Sequence, residues 1–281
     1  MAVPILDNHV HLDAVRGRHV DSVRDFERAG GTHIVISSPA LDDFRIKSAQ
    51  DFRKSFDVTI GLKDRVNSET GVRAYATVGP YPVELLELEK LHGLEKAAQI
   101  MIEGMEIAAE YVRDGKAIAI GEVGRPHFPV PGEIWNASNE ILFHAMRLAR
   151  EAGCAIVLHT ESATHESMKE LAAMAEKAGL SCQRVVKHYC PPFVLPEENF
   201  GLMPSVLAGK DAIRSALSKG PRFMMETDFL DDPKRPGAVL AIATVPKRTL
   251  TFIKQGLMTE EQAYRIHQDN PRETYGQSLW Q

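Results

Sequence analysis

Short apolar runs alternate along this chain with longer segments of helical periodicity. The first run, VPILDNH, lies near the N-terminus and stops at a histidine. Runs that are almost entirely apolar, such as AIAIG at 117–121, are typical of parallel strands buried on both faces. Strands are therefore expected at Val3 to His11, His33 to Ser37, Gly71 to Val78, Ala117 to Gly121, Ala155 to Leu158, Arg184 to Lys187, Phe200 to Val206 and Arg222 to Met225.

Between these runs, apolar residues recur at intervals of three and four, as in an amphipathic helix. Several of the segments stop at glycine, which favours the helix C-terminus. Helices are expected at Val20 to Gly30, Asp42 to Leu62, Val83 to Arg113 (broken near Gly93), Asn136 to Gly153, Thr164 to Gly179, Lys210 to Lys219, Ala238 to Gln255 and Thr259 to Asp269.

This alternation predicts an α/β fold built from parallel βαβ units. Eight units fit a single (β/α)8 TIM barrel, a fold that commonly takes about 250 residues. The segment 42–62 is interpreted as a helical insertion after strand 2. No internal repeat or linker divides the sequence, so residues 1–281 are expected to form one barrel domain.

The composition is that of an ordinary globular protein: 44% of its 281 residues are hydrophobic and 25% are charged. No apolar run reaches the roughly 18 residues of a membrane span, and no signal peptide is evident, so a cytoplasmic location is expected. The three cysteines, Cys154, Cys182 and Cys190, lack the spacing of a disulfide framework or a thiolate zinc site. A net charge of -5 gives no global attraction to nucleic acid. A homo-oligomer is left open.

The proposed strands share one feature: metal-type ligands stand at their C-terminal ends. In a (β/α)8 barrel these ends meet at one mouth, where such proteins build their sites. Imidazoles and carboxylates are common ligands of divalent metals. The candidate ligands are His9, His11, Glu122, His159, His188 and Asp228.

Four histidines and two carboxylates exceed the needs of one ion and suit two divalent ions that share a carboxylate. Such a pair activates water near neutral pH, which predicts hydrolysis. Asp228 could bind a metal and also accept the proton of the nucleophile. Zinc is the first choice from the mixed nitrogen and oxygen ligands, but manganese, iron, cobalt and nickel also fit, and magnesium is less favoured.

The motifs DNHVHLD, AIGEVG, VLHTE, VVKHY and METDFLDD resemble, in order and spacing, those of the TatD-like metal-dependent hydrolases, a branch of the amidohydrolase-type barrels. The resemblance runs from Asp7 to Arg272. It implies that one metal is bound by His9, His11, Glu122 and Asp228, and that a second is bound by Glu122, His159 and His188. Glu122 would then bridge the metals and belong, with Asp228, to the catalytic residues.

Residues expected to face the substrate depart from the family pattern. After strand 4 the family usually reads Gly-Glu-x-Gly-Leu-Asp, whereas this chain has Arg125, Pro126 and His127 after Gly124, and Glu161 stands where an arginine is usual. A glutamate there would repel a phosphate, whereas Arg125, with Lys234 and Arg235, could compensate. The predicted substrate-contacting residues are Arg125, His127, Glu161, His165 and Tyr189.

Three hypotheses remain. The resemblance favours hydrolysis of phosphodiesters, with a nucleic-acid end or a small molecule as substrate. Glu161 favours an amidohydrolase or lactonase acting on a small C–N or C–O substrate. A non-catalytic metal-binding barrel is the third, but every proposed ligand is present.

Overall fold

The computed structural model describes residues 3–38 and 45–276. Their strands form one parallel sheet in the order β8-β7-β6-β5-β4-β3-β2-β1-β9. The strands are β1 (Leu6–His11), β2 (His33–Ser37), β3 (Arg73–Val78), β4 (Ala119–Gly124), β5 (Ala155–His159), β6 (Val185–Cys190), β7 (Met203–Leu207), β8 (Met224–Glu226) and β9 (Phe229–Leu230).

The sheet curls so that the two strands at its edges, β8 and β9, lie close together. β8 pairs with β7 and β9 pairs with β1, yet only Thr227 and Asp228 separate β8 from β9 in the chain. The backbone N–H of Asp228 also donates to the carbonyl of His9 at 3.0 Å. This α/β arrangement is consistent with a TIM-like barrel.

Helices connect the strands and surround the sheet. They are α1 (Val20–Arg28), α2 (Ala49–Glu69), α3 (Glu84–His92), α4 (Leu94–Arg113), α5 (Gly132–Ala152), α6 (His165–Ala178), α7 (Pro196–Asn199), α8 (Lys210–Lys219), α9 (Thr244–Lys254), α10 (Glu260–Tyr264) and α11 (Asn270–Tyr275). A 3-10 turn, Cys182–Arg184, precedes β6, and a π-helical segment, Arg265–Asp269, joins α10 to α11.

The ends of α5 and α6 show why the sequence forms these helices. The Thr164 hydroxyl accepts a hydrogen bond from the Ser167 N–H at the start of α6, which satisfies one of the unpaired donors there. Both helices end at a glycine in the left-handed region, Gly153 with φ 66° and Gly179 with φ 72°.

Two apolar layers lie on opposite faces of the sheet. The outer layer is extensive and packs helix residues such as Leu142 and Leu171 against strand residues such as Ile120 and Ile156. The inner cluster is small and consists of Ala119, Ala155, Val157, Val186, Met203 and Met224. Val157 and Val186 precede His159 and His188 by two residues, so alternation along the strands directs those histidines to the inner face.

The predicted insertion needs a change of bounds. The helix lies at Ala49–Glu69 and connects the neighbouring strands β2 and β3, the place of an ordinary βαβ crossover. Positions 42–44 of the predicted segment lie outside the described residues. That the segment is an insertion stays a prediction.

Among residues 3–38 and 45–276, no helix combines the length and apolar character that a bilayer crossing demands.

Candidate metal centre

The two histidines of β1 lie side by side at the end of the strand. His9 is fully buried, and its Nε2 is 3.1 Å from Nε2 of His11. The other ring nitrogen of His9, Nδ1, is 3.1 Å from the Ser37 hydroxyl, which lies 3.0 Å from the Thr77 hydroxyl. Ser37 and Thr77 therefore fix the His9 ring from behind.

Glu122 lies among four imidazoles. Its Oε1 is 3.0 Å from His159 Nδ1, 3.2 Å from His188 Nε2 and 3.5 Å from His9 Nε2. Its Oε2 is 3.4 Å from His11 Nε2. The side chain is only 4% exposed, so these nitrogens are its immediate surroundings.

The strand register changes at three of these positions. Pairing is irregular between Asp7 and Val10 in β1, between Gly121 and Val123 in β4, and between Lys187 and Cys190 in β6. His9, Glu122 and His188 lie inside these three intervals. Because a β-bulge redirects the side chain that it carries, the irregularities help the three groups to converge.

Asp228 completes the group on the side of β1. Its Oδ1 is 3.5 Å from His11 Nε2 and 3.9 Å from His9 Nε2. Its backbone adopts φ 50°, a left-handed conformation that aspartate tolerates better than most residues. This conformation occurs in the two-residue connection between β8 and β9.

The charges of the cluster are interdependent. Burial raises the pKa of the Glu122 carboxyl, but the charges of His9, His188 and His159 outweigh burial and hold that pKa well below its usual range. Burial lowers the pKa of His9. The charge and hydrogen bond of Glu122, together with the charges of Glu226 and Asp228, outweigh burial and raise that pKa to about 9. The buried Glu122 carboxylate is therefore compensated by positive charge on the surrounding imidazoles.

The residues fit divalent cations. Three groups have ligand atoms within 4.8 Å of one another: His9 with His11 and Asp228, Glu122 with His159 and His188, and His9 with His188 and Glu226. All are nitrogen and carboxylate donors, which suit zinc and related ions. Nδ1 of His11 is buried without a hydrogen-bond partner in the described chain, so its ring is not held by a hydrogen bond from behind, unlike that of His9.

Glu226 was not predicted from the sequence. It is fully buried at the end of β8, and its Oε1 accepts from the Tyr189 N–H at 2.7 Å and lies 3.1 Å from His188 Nδ1. Its Oε2 accepts from the Ser205 hydroxyl. A carboxylate within the apolar run FMME was the available signal, but only the fold shows that it supports His188.

The outer side of His159 carries two further polar groups. Its Nε2 is 2.9 Å from Nδ1 of His127 and 3.2 Å from the hydroxyl of Tyr81. Tyr81 follows β3 in the sequence Gly-Pro-Tyr-Pro and was also missed, because that motif was interpreted only as a strand end. Burial raises the pKa of Tyr81 far above its usual value, so its hydroxyl keeps its proton at neutral pH.

A cavity of about 620 Å³ opens above the ligand cluster. Its wall combines five of the six predicted ligands with charged residues from the loops after β1 and β9. The lining residues are His11, Leu12, Asp13, Arg16, Tyr81, Glu122, His159, His188, Asp228, Leu230, Asp231, Asp232, Lys234 and Arg235.

Arg125 does not reach this cavity. Its side chain is completely buried, and it binds Glu161 through two hydrogen bonds of 3.1 and 2.5 Å. The same guanidinium donates to Glu170 at 2.9 Å and to Asn139 at 3.2 Å, and it lies 4.4 Å from the ring centre of Trp135. The prediction that Arg125 contacts substrate is not supported by this geometry, because its hydrogen bonds are used within the protein.

The other predicted substrate residues are placed differently. His127 contacts His159, as described above, and Glu161 is held by Arg125. His165, the first residue of α6, has its Nε2 2.9 Å from the carbonyl of Glu197, and its ring centre lies 4.8 Å from that of Phe200. Tyr189 is 50% exposed, and its ring centre lies 5.9 Å from that of His188.

A TIM-like α/β fold with histidines and carboxylates at the carboxyl ends of its strands is the arrangement of a barrel-type metal-dependent hydrolase. The chain matches the family described as TatD related DNase over residues 6–276. It is also 40% identical over 281 residues to uncharacterized protein MJ1127 of Methanocaldococcus jannaschii, a match that covers 99% of this chain and 98% of that protein. The chain therefore belongs to the TatD-related DNase family and is a metal-dependent hydrolase.

Solved structures share the fold. YJJV, a TatD homolog from Escherichia coli K12, has a TM-score of 0.65 and 18% identity, and the match covers 98% of this chain and 99% of that one. A mutant organophosphorus hydrolase from Deinococcus radiodurans has a TM-score of 0.63 and 16% identity, covering 98% and 93%. At such identities the likeness concerns the fold alone.

Proposed function

We propose that this chain is a dinuclear metallohydrolase that cleaves phosphodiesters, such as a nucleic-acid end or a small nucleotide. The observation that carries the proposal is the position of Glu122, whose two carboxylate oxygens lie within 3.5 Å of nitrogens from all four candidate histidines. A carboxylate placed between two ligand groups can belong to both.

In this proposal, His9, His11, Glu122 and Asp228 hold one ion, and Glu122, His159 and His188 hold the other. Zinc is the first choice, with manganese, iron, cobalt, nickel or magnesium as alternatives. Bound divalent ions would make water more acidic and the phosphorus or carbonyl carbon of the substrate more electrophilic.

Asp228 is the proposed proton acceptor. Burial raises its pKa, but its hydrogen bond to His11 and the charges of the neighbouring imidazoles outweigh burial and lower that pKa below the usual value. The carboxylate is therefore ionised at neutral pH. Its side chain is 14% exposed at the cavity wall, where it can accept a proton from water.

The charged residues of the cavity support an anionic substrate. Apart from Asp228, the lining aspartates are already hydrogen bonded: Asp13 to the Val15 and Arg16 N–H groups, Asp231 to the N–H groups of Arg18 and His19, and Asp232 to that of Lys234. In contrast, the ammonium of Lys234 has no hydrogen-bond or ion-pair partner within residues 3–38 and 45–276. Lys234 therefore brings an uncommitted positive charge to the wall, which favours a phosphate.

The Arg125–Glu161 pair removes an objection to this substrate class. An isolated Glu161 carboxylate would repel a phosphate, but both of its oxygens accept hydrogen bonds from Arg125. A bidentate pair of this kind offsets much of the charge of Glu161. Glu161 therefore does not favour a neutral substrate over a phosphodiester.

Elemental analysis followed by a substrate panel tests the proposal. We expect about two metal ions per wild-type chain and fewer in Glu122→Ala, since the shared ligand is lost. Glu133→Ala, which removes an exposed carboxylate of α5, is the matched control and keeps the wild-type content. Metal-loaded wild type is then assayed with a nitrophenyl phosphodiester, a single-stranded oligonucleotide and several lactones. Absence of phosphodiester turnover by the loaded protein would refute the proposed substrate class.

A lactonase or amidohydrolase is the second candidate, and Tyr81 favours it. Its protonated hydroxyl lines the cavity, 3.2 Å from His159, where it could donate a hydrogen bond to a carbonyl oxygen. Turnover of lactones or cyclic amides without phosphodiester cleavage would select this candidate.

Four further expectations accompany the proposal. Residues 1–281 form one domain, and β8 and β9 together serve as the eighth strand of a closed (β/α)8 barrel. The pairing of β9 with β1 supports the closure. The cytoplasmic location stays a prediction, and a homo-oligomer stays open.

A further inference from the structure

The two ring nitrogens of His159 face different surroundings. Nδ1 points into the ligand cluster, 3.0 Å from Glu122 Oε1. Nε2 points outward, 2.9 Å from His127 Nδ1 and 3.2 Å from the Tyr81 hydroxyl. A neutral imidazole has one N–H and one lone pair, so a nitrogen that binds a metal leaves the hydrogen on the other. If His159 binds through Nδ1, its Nε2–H needs an acceptor on the outer side.

We propose that His127 is a positioning residue for His159: its Nδ1 accepts the Nε2–H and thereby fixes the tautomer and orientation that present Nδ1 to the metal. The inference rests on the metal-binding part of the proposed function and not on the choice of substrate. It also assigns His127 a role different from the substrate contact expected from the sequence.

The ring geometry agrees with this hydrogen bond. The rings of His127 and His159 are 5.0 Å apart between centres and inclined by 75°, and the ring centre of Phe128 also lies 5.0 Å from that of His127. A neutral imidazole nitrogen is a better acceptor than a phenol oxygen, and His127 is the nearer of the two partners. Tyr81 is therefore the weaker partner, and its hydroxyl hydrogen remains available to the cavity.

The loop that carries His127 is anchored to His159 by its backbone. The N–H of Arg125 donates to the carbonyl of His159 at 3.0 Å. The buried Arg125 side chain then holds the same loop against α5 and α6 through Asn139, Trp135 and Glu170. The buried arginine thus gives His127 a defined position even though His127 itself is exposed.

Zinc affinity of a set of variants tests the assignment. His127→Leu removes the acceptor, His127→Asn retains one near the same place, and Tyr81→Phe removes only the hydroxyl. His165→Leu is the matched control, because it deletes an exposed histidine at the start of α6, whose Nε2 lies 2.9 Å from the Glu197 carbonyl. Competition with a chromophoric chelator gives the affinity, and circular dichroism of the metal-free proteins establishes that each variant is folded.

We expect His127→Leu to weaken zinc binding at one site by about 10- to 100-fold, the range found when partners of metal-binding histidines are removed. His127→Asn should recover most of this loss, and Tyr81→Phe and His165→Leu should bind as wild type does. In nitrogen NMR of the zinc-loaded wild type, His159 should carry its hydrogen on Nε2, and the chemical shift of that hydrogen should change in His127→Leu.

Several results would overturn the assignment. Wild-type affinity in His127→Leu would do so, as would equal losses in the Leu and Asn variants or a loss confined to Tyr81→Phe. Failure of the substrate proposal looks different: a zinc-loaded wild type without phosphodiester turnover, but with the His127 effect on affinity, refutes the substrate class and supports the positioning role. A wild type that binds no zinc refutes both.

Discussion

His267 gives the chain a calculable sensitivity to acid. It lies in the π-helical segment Arg265–Asp269 and is completely buried. Its Nε2 is 2.9 Å from the Thr249 hydroxyl, and its Nδ1 is 3.2 Å from the backbone nitrogen of Leu6 in β1. No carboxylate contacts the ring among the described residues. Burial lowers the pKa of His267 from 6.5 to about 4. The neutral imidazole therefore belongs to the folded state.

The sign and size of the effect follow from this pKa. In the unfolded chain the imidazole takes up a proton near its ordinary pKa of 6.5, whereas in the folded chain the pKa is about 4. The stabilising contribution is therefore present above pH 6.5 and is lost as the pH falls toward 4. A difference of roughly 2.5 pKa units corresponds to about 3 kcal/mol over the whole range, of which about 2.5 kcal/mol is lost between pH 7.5 and 4.5.

Urea unfolding of wild type and His267→Gln at these two pH values measures this contribution. The variant cannot gain the proton, so its free energy of unfolding should fall by about 2.5 kcal/mol less than that of wild type over the interval. It should be less stable than wild type at the higher pH, because the contacts of the imidazole are lost. The histidines of the metal centre titrate in both proteins, and a chelator keeps both free of metal. Equal pH dependence in the two proteins would refute the reasoning.

Three other predictions concern the site. Gly124→Ala should lower the free energy of unfolding by about 2 kcal/mol or more and reduce metal content. The reason is that φ is 146° at this residue and the added Cβ would lie 2.2 Å from the His159 carbonyl oxygen. Calorimetry measures the free energy of unfolding, and elemental analysis measures the metal content. Glu226→Gln should weaken zinc affinity about tenfold in chelator competition, since its amide would place a donor against the Ser205 hydroxyl or the Tyr189 N–H, both of which donate to Glu226. If the proposed phosphodiesterase activity is present, Lys234→Ala should reduce the salt slope of oligonucleotide KM by about one, with Lys254→Ala on α9 as the control.

The fold could be predicted because its signals are local. The alternation of apolar runs and helical segments gave the order of strands and helices, and glycines such as Gly153 and Gly179 marked helix ends. Boundaries were less accurate where the chain departs from regular geometry. β4 was expected to stop at Gly121 but continues to Gly124. Its pairing with β5 is irregular around Glu122 and then resumes at Val123 and Gly124. No local pattern distinguishes such an irregularity from a strand end.

The convergence of the six candidate ligands could also be anticipated, since parallel strands bring their carboxyl ends together. Their supporting groups could not. Glu226 interacts with His188, which is 38 residues away in the chain, and Ser37 supports His9 across 28 residues. Such partners depend on which strands are neighbours and on which face a side chain takes. The sequence pattern determines neither with the necessary accuracy.

Arg125 and Glu161 show how residues taken singly can mislead. An arginine after β4 was expected to attract a phosphate, and a glutamate after β5 to repel one. Each expectation assumed a side chain facing the cavity, but the two groups bind each other, and Arg125 is also enclosed by Trp135 and Glu170. Their mutual pairing cancels both arguments. Of the cations that line the cavity, Lys234 has no ion-pair partner within residues 3–38 and 45–276, and it lies in a loop that periodicity does not describe. Substrate preference therefore depends on interactions between distant segments.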